Sequence, residues 1–219
     1  MAPRAKTRDR ILEASLALFN ARGERAVTTN HIAAHLGISP GNLYYHFANK
    51  QAIVAQLFAA YEARVDGFLR HPEGRSLQIE DKAVYLEALL AAMWDYRFLH
   101  RDLEHLLESD AQLAQRYRQF AARCLAHARA IYAGFVEAGI LAMDAPQVEA
   151  LALNAWIVLT SWVRFLATVG EGSTALDPLH LRRGIYQVLA LESGYVRAEA
   201  APALGQLLAA YEVPLDRLL

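Results

Sequence analysis

Thr28-Thr29-Asn30-His31-Ile32-Ala33-Ala34-His35-Leu36-Gly37-Ile38-Ser39-Pro40-Gly41-Asn42-Leu43-Tyr44-Tyr45-His46-Phe47-Ala48-Asn49-Lys50 is the stretch on which the fold turns. Its apolar residues recur at helical, not strand, spacing. Ile32, Ala33 and Leu36 mark one face of a short helix that begins at Thr28 or Thr29 and ends before Gly37. Ser39-Pro40 opens another: serine is a favoured N-cap, and proline suits the first helical position because its missing N–H is not needed there. That helix ends near His46 or Phe47. Two short helices meeting at a tight turn around Gly37 make a helix-turn-helix, whose second helix fits the major groove of DNA. Ile32, Leu36, Ile38, Leu43 and Phe47 supply the small core that holds the two at their angle. Thr28, Thr29, Ser39, Gly41, Asn42, Tyr45 and His46 are left facing out. No acidic residue occurs between Thr28 and Lys50, which suits a surface laid on phosphates.

Each outward residue has a chemical use. Gly41 lets the backbone approach the groove floor. Asn42 can both donate to and accept from a base edge. Tyr44, Tyr45 and His46 can reach phosphates or, through their rings, thymine methyls. Thr28 and Thr29 stand at a helix N-terminus, where hydroxyls and free N–H groups bind phosphate, and one of them also serves as the cap. Lys50 is the sharpest clue. A cation at the start of the next helix opposes the macrodipole. A phosphate held jointly by the ammonium and the helix N–H groups would remove that conflict. Tyr44 is equally read as half core, and His31 and His35 are read as surface or packing residues.

Outward from this stretch, helical periodicity continues almost everywhere. A first helix is expected from about Thr7 to Arg22, with Ile11, Leu12, Leu16 and Phe19 on one face and Gly23 as its stop. Asn49 caps a fourth, with Ile53, Leu57, Tyr61, Val65 and Phe68 inward to about Arg70. Further helices are expected at about 79–98, 102–108, 110–137, 146–169, 178–195 and 199–211. Loops fall at His71 to Ser76 and at Gly170 to Ser173. The class is therefore all-α.

Composition agrees. The chain has 219 residues, 55% hydrophobic and 21% charged, so extended disorder is not expected. One cysteine, Cys124, excludes an internal disulfide and a multi-cysteine zinc site. The net charge of −1 is uneven. Residues 1–50 carry seven Lys/Arg against three acids, and residues 51–219 carry fifteen against twenty. A basic head on an acidic body points to a local polyanion-binding surface, with a plain solvated basic tail as the other reading. The basic start holds no apolar run, so no signal peptide is expected. Arg164 inside the apolar run 150–169 argues for a buried or interfacial helix over a membrane span. The expected location is the cytoplasm.

The residues from about Thr7 to Phe58 resemble the N-terminal domain of the TetR family of bacterial transcriptional regulators. The matching run is Thr28-Thr29, Ile32-Ala33, Gly37-Ile38-Ser39, Gly41-Asn42-Leu43-Tyr44-Tyr45-His46-Phe47 and Lys50. The resemblance implies a helix-turn-helix domain over residues 1–50 and a helical effector-binding and dimerisation domain over 51–219, nine or ten helices in all. It implies a homodimer that represses transcription from a palindromic operator and leaves it when a small molecule binds. It places DNA contacts on Thr28, Thr29, Ser39, Gly41, Asn42, Tyr44, Tyr45, His46 and Lys50. Pro40 departs from the family, many of whose members carry a basic residue there. The residues from Trp94 to Tyr117-Arg118 look like one subgroup of these repressors, without fixing a ligand.

Within that frame, Trp94, Phe98, Leu107, Tyr117, Phe120, Cys124, Tyr132 and Trp162 are candidates to line an apolar effector cavity, with a packed core as the plainer reading of each. Trp156, Leu159, Val163, Ile185, Val188 and Leu189 are expected to form a four-helix interface between two subunits. Two reading helices on one face of a duplex then need a spacing of about 34–36 Å. His100-Arg101-Asp102-Leu103 imitates a kinase catalytic loop but lacks its asparagine and any glycine-rich loop. His100 and Glu104 share a helix face yet have no third metal ligand. Neither a catalytic residue, a metal nor a cofactor is expected. The contrasting reading is a helical small-molecule-binding protein or enzyme that does not use its DNA-binding head.

Overall fold

The computed structural model describes residues 6–72, 74–169 and 178–214. Among these it has eleven α-helices: α1 (Thr7–Arg22), α2 (Thr29–Leu36), α3 (Pro40–His46), α4 (Lys50–Phe68), α5 (Asp81–Asp95), α6 (Arg97–Arg101), α7 (Leu103–Ser109), α8 (Ala111–Glu137), α9 (Ala145–Val169), α10 (Pro178–Glu192) and α11 (Ala201–Tyr211). A 3-10 turn covers Ser193–Tyr195. An isolated antiparallel bridge joins Leu141 to Val196. The helix expected at 79–98 divides in two. Tyr96 leaves helical geometry (φ −115°, ψ 32°), as does Asp102 (φ −102°, ψ 12°), and the short α6 lies between them. The count thus exceeds nine or ten. The basic residues before Lys6 and the loop at Gly170 to Ser173 lie outside the described residues.

The chain forms two compact units that do not divide at residue 50. The first comprises residues 1–64 and 95–117, the second 65–94 and 118–219. The first therefore takes in α6, α7 and the start of α8 together with the helix-turn-helix. Its buried residues include Ile11, Phe19, Val27, Ile32, Leu43, Phe47, Ile53, Leu57 and Phe98. On α1 the buried positions are Ile11, Ala14, Ser15, Leu18 and Phe19, so the face is turned slightly from Leu12 and Leu16. Ser15 satisfies its buried hydroxyl by donating to the Ile11 carbonyl at 2.6 Å.

The second unit has one continuous core, in which α9 lies along α10. Leu151, Ala155, Leu159 and Val163 of α9 meet Ile185, Val188 and Leu189 of α10 there. Gly184 permits the close approach, since a Cβ at that position would stand 2.8 Å from Trp162 Cδ1. By length and composition α9 could cross a membrane, with a mean hydropathy of 1.5. Its inward stripe from Val148 to Leu166 is nonetheless buried in this core.

Candidate nucleic-acid interface

The helix-turn-helix is fixed by local hydrogen bonds. Gly37 ends α2 in the left-handed region (φ 65°, ψ 32°), where a residue with a Cβ is strained. Its N–H and that of Ile38 return to the Ala33 carbonyl, which reverses the chain. The Ser39 hydroxyl accepts from Asn42 N at 3.2 Å and caps α3, with Pro40 at the first helical position. Thr28 caps α2 by accepting from His31 N at 3.2 Å, and His31 Nδ1 accepts in return from Thr28 N at 3.3 Å. His31 thus completes a capping box, a role usually filled by Glu or Gln. A histidine there leaves the helix N-terminus without a carboxylate, which keeps the face attractive to phosphate.

The outward face combines exposed Thr28, Ser39, Gly41, Asn42, Tyr44 and Tyr45 with half-buried Thr29 and His46. Tyr45 is the most prominent, 86% exposed, with its ring meeting His46 edge-on at 5.1 Å. Tyr44 is also exposed, and its hydroxyl lies 2.9 Å from Thr29 Oγ1, which ties α3 to the first turn of α2. Arg8 places its guanidinium 5.0 Å from the Phe47 ring centroid and donates to Gln56 at 2.8 Å, adding a positive group near the same head. Gly41 has no positive φ, and a Cβ there would meet nothing closer than Ser39 Oγ at 4.0 Å. Folding therefore does not require glycine at this position. Gly41→Ala should raise the stability of the head by up to about 1 kcal/mol. It should lower DNA affinity about tenfold if the backbone must lie against the groove, a factor that corresponds to about 1.4 kcal/mol. Thermal melts and electrophoretic shifts on one preparation read the two opposite signs.

Lys50 is placed differently from its sequence reading. Its ammonium donates to the carbonyls of Glu24 and Val27, both at 3.0 Å, and pairs with Glu24 Oε1 at 2.8 Å. The lysine side chain is 23% exposed and that of Glu24 only 6%. The anion called for at the α4 N-terminus is thus already in the chain, as the Glu24 carboxylate. Asn49 caps the helix by accepting from Ala52 N at 2.8 Å. Lys50 binds the start of α4 to Glu24 and Val27 of the α1–α2 connection, and so holds the reading head together.

Comparison with known proteins bears on the whole chain. The family model TetR, described as a bacterial transcriptional repressor, matches residues 60–204. The model for the N-terminal domain, described as bacterial regulatory proteins of the tetR family, matches residues 11–57. The chain belongs to the TetR family. A crystal structure of a TetR-family transcriptional regulator from Marinobacter aquaeolei VT8 is 48% identical, with a TM-score of 0.89, over 95% of this chain and 100% of that one. The transcriptional repressor KstR2 of Mycobacterium tuberculosis H37Rv is 43% identical over 54 residues, 25% of this chain and 27% of that protein. The regulator UidR of Escherichia coli K12 is 33% identical over 66 residues, 30% of this chain and 34% of that protein. The chain thus spans only about a quarter to a third of the length of these curated relatives. The family is one of transcriptional regulators, not enzymes.

The effector candidates of this TetR-family chain are divided between the units. Phe98, Leu107 and Tyr117 belong to the first; Trp94, Phe120, Cys124, Tyr132 and Trp162 belong to the second. Phe98 is fully buried against Phe19 at 5.2 Å, and Leu107 is half-buried. Tyr117 lies 6.0 Å from Phe58. Phe120 meets Trp156 at 6.3 Å, and Cys124 is buried. Trp162 donates to the His180 carbonyl at 3.0 Å. Tyr132 donates to Glu192 at 2.8 Å, and burial together with that carboxylate pushes its pKa well above the usual phenol value. Trp94 lines a largely apolar cleft of about 290 Å³ with Glu87, Leu90, Ala91, Arg182, Ile185 and Tyr211.

The residues expected between subunits lie elsewhere. Leu159, Val163, Ile185, Val188 and Leu189 are buried in the chain's own core, and Trp156 is half-buried on Phe120. The five buried residues lie in the core that holds α9 to α10 within one chain, whereas Trp156 packs on α8. The large exposed apolar residues of α9 are Leu153, Ile157 and Phe165, joined by Leu191 on α10. His100 is buried, its ring nitrogen 3.1 Å from the Tyr61 hydroxyl, and burial pushes its pKa down to about 4. No group of three metal-ligating side chains occurs among the described residues.

Proposed function

We propose that this protein is a cytoplasmic, ligand-responsive repressor that binds a palindromic DNA operator as a homodimer and is released by a small apolar effector. The observation that carries the reading is the acid-free, exposed face made by α3 and the α2 N-terminus, held by the Gly37 turn and by Lys50. Asn42 and Tyr45 read base edges, while Thr28, Thr29, Ser39, Tyr44 and His46 bind backbone phosphates. Lys50 positions this face. The Trp94 cleft supports an effector site in the second unit, because its lining is mostly apolar. KstR2 of M. tuberculosis, similar in its head, is named a transcriptional repressor, in keeping with this sign of regulation.

In vitro selection from a random duplex library tests the reading directly. The expected result is an enriched palindrome whose affinity falls steeply with salt. Recovery of no duplex by folded protein at low salt would instead favour a helical ligand-binding protein with an idle head. The dimer has its own test. Ile157 is 51% exposed and lies on the Leu153–Ile157–Phe165 stripe. A two-fold interface presents each residue twice, so Ile157→Glu should convert dimer to monomer in sedimentation and lower affinity for the palindrome at least about tenfold.

A further inference from the structure

Four directional hydrogen bonds join the end of α1 to residues 95–102. Asn20 Nδ2 donates to the Asp95 carbonyl at 2.7 Å, and Asn20 Oδ1 accepts from Phe98 N at 3.1 Å. Arg101 donates to the Phe19 carbonyl at 2.7 Å, in the last turn of α1. Asp102 Oδ2 accepts from Glu24 N at 2.8 Å. Glu24 then passes the connection on: its carboxylate meets Lys50 at 2.8 Å, and Lys50 also holds Val27, the residue before the α2 cap. The second Glu24 oxygen faces His105 Nε2 at 3.7 Å. All these groups lie in the first unit, which includes residues 95–117 alongside the head.

From this we infer that Asn20, Arg101 and Asp102 are positioning residues for operator recognition, a bracket that sets the pose of α2 and α3 without touching DNA. The inference rests on the DNA-binding reading above. Apolar packing alone tolerates sliding, whereas four bonds to fixed backbone atoms specify direction as well as distance. One of the four falls on the α1–α2 connection, at Glu24 N, and the other three on the last turn of α1 that leads into it, the segment whose geometry decides where Thr28 stands. The His100-Arg101-Asp102 run, which resembles a catalytic signature without its partners, thereby has a role for each residue. Arg101 and Asp102 hold the head, and His100 anchors α6 to Tyr61 of α4.

The test uses the full chain and the highest-affinity duplex selected in vitro with the unsubstituted protein. Arg101→Ala and Asp102→Ala should each lower affinity about tenfold or more, at a temperature where circular dichroism shows all proteins folded, which corresponds to about 1.4 kcal/mol each. Because neither residue meets phosphate, the slope of log affinity against log salt should not change, whereas a lost phosphate contact lowers it by about one. Asp102→Asn keeps a side-chain carbonyl for Glu24 N and should restore most of the affinity. Combining Asp102→Ala with Lys50→Met should cost less than the product of the two single losses, because both act through Glu24. Should Asp102→Ala fail to fold, Arg101→Lys, with a shorter reach to Phe19, takes its place with the same expected loss. Unchanged affinity in the folded variants, or a loss accompanied by a reduced salt slope, overturns the bracket. Failure of the unsubstituted protein to select any duplex overturns the DNA-binding reading itself, so the two failures are distinguishable.

Discussion

Lys50→Met should loosen the reading head and abolish operator binding together. Methionine keeps much of the apolar stem but removes three interactions, with the carbonyls of Glu24 and Val27 and with the Glu24 carboxylate. The damage lies less in the lost bonds than in what remains. Glu24 would keep a charged group in a place only 6% exposed, with Lys50 gone and the His105 ring nitrogen, at 3.7 Å, as its nearest remaining side-chain neighbour. Stranding a charged hydrogen-bonding group in this way costs about 2–3 kcal/mol. Val27 would also lose its hold on the turn before Thr28, so α2 and α3 would lose their common pose. The expected loss of operator affinity is about a hundredfold or more, corresponding to about 2.7 kcal/mol. Adding Glu24→Gln to Lys50→Met should recover stability, because removing both partners is far milder than removing one. A lysine serving only as a phosphate contact predicts the opposite pattern: stability unchanged, salt slope lowered by about one, and no rescue by Glu24→Gln. Urea denaturation and salt titrations of the three proteins decide between them.

The residues that were legible from sequence are those whose roles depend on near neighbours. Ser39-Pro40, Gly37 and Asn49 act within about one helical turn, and each stands in the structure as its chemistry requires. Lys50 was conspicuous for a sound reason, since a cation at a helix N-terminus needs an anion. The sequence could not say which anion, because Glu24 lies 26 residues away and meets it only after folding. Asn20, Arg101 and Asp102 were missed as part of the head for the same reason, being 75 to 82 residues from their partners. The local signal for the Arg101 donor is a generic one: the last carbonyls of any helix, those of α1 included, lack partners from within the helix. On α9, apolar residues occupy nearly the whole circumference. Periodicity then marks a helix but cannot separate Leu159, which packs inward, from Ile157, which faces out. The break at Tyr96 carries no glycine or proline, so nothing local announced it.

Glu192→Ala should be the most damaging single substitution in the second unit. Lys82, the second residue of α5, and Glu192, the last of α10, form an ion pair at 2.5 Å with both side chains only 2% exposed. Tyr132 of α8 donates to the other carboxylate oxygen at 2.8 Å, and the Lys82 ammonium lies 3.8 Å from the Phe135 ring centroid. Removing the carboxylate leaves an ammonium with aromatic faces in place of its counter-ion, and orphans the Tyr132 hydroxyl as well. Breaking one side of a buried pair costs about 3–5 kcal/mol, a large share of a domain's total stability. The double replacement Lys82→Met with Glu192→Leu should return most of that loss, because apolar residues of similar volume in a buried pair's place are often neutral or better. If the pair served stability alone, such a replacement would carry no penalty anywhere. Its placement argues for a second use. It joins the start of α5 to the end of α10, and α10 packs along α9, the helix whose outward stripe we propose as the face that meets a second subunit. The double variant should therefore stay folded in urea titrations yet show faster amide exchange at the end of α10 and a weaker dimer in sedimentation. A double variant with the exchange and dimer constant of the unsubstituted protein would leave the pair without that orienting role, and a Glu192→Ala protein of undiminished stability would show that the carboxylate is not needed to neutralise Lys82.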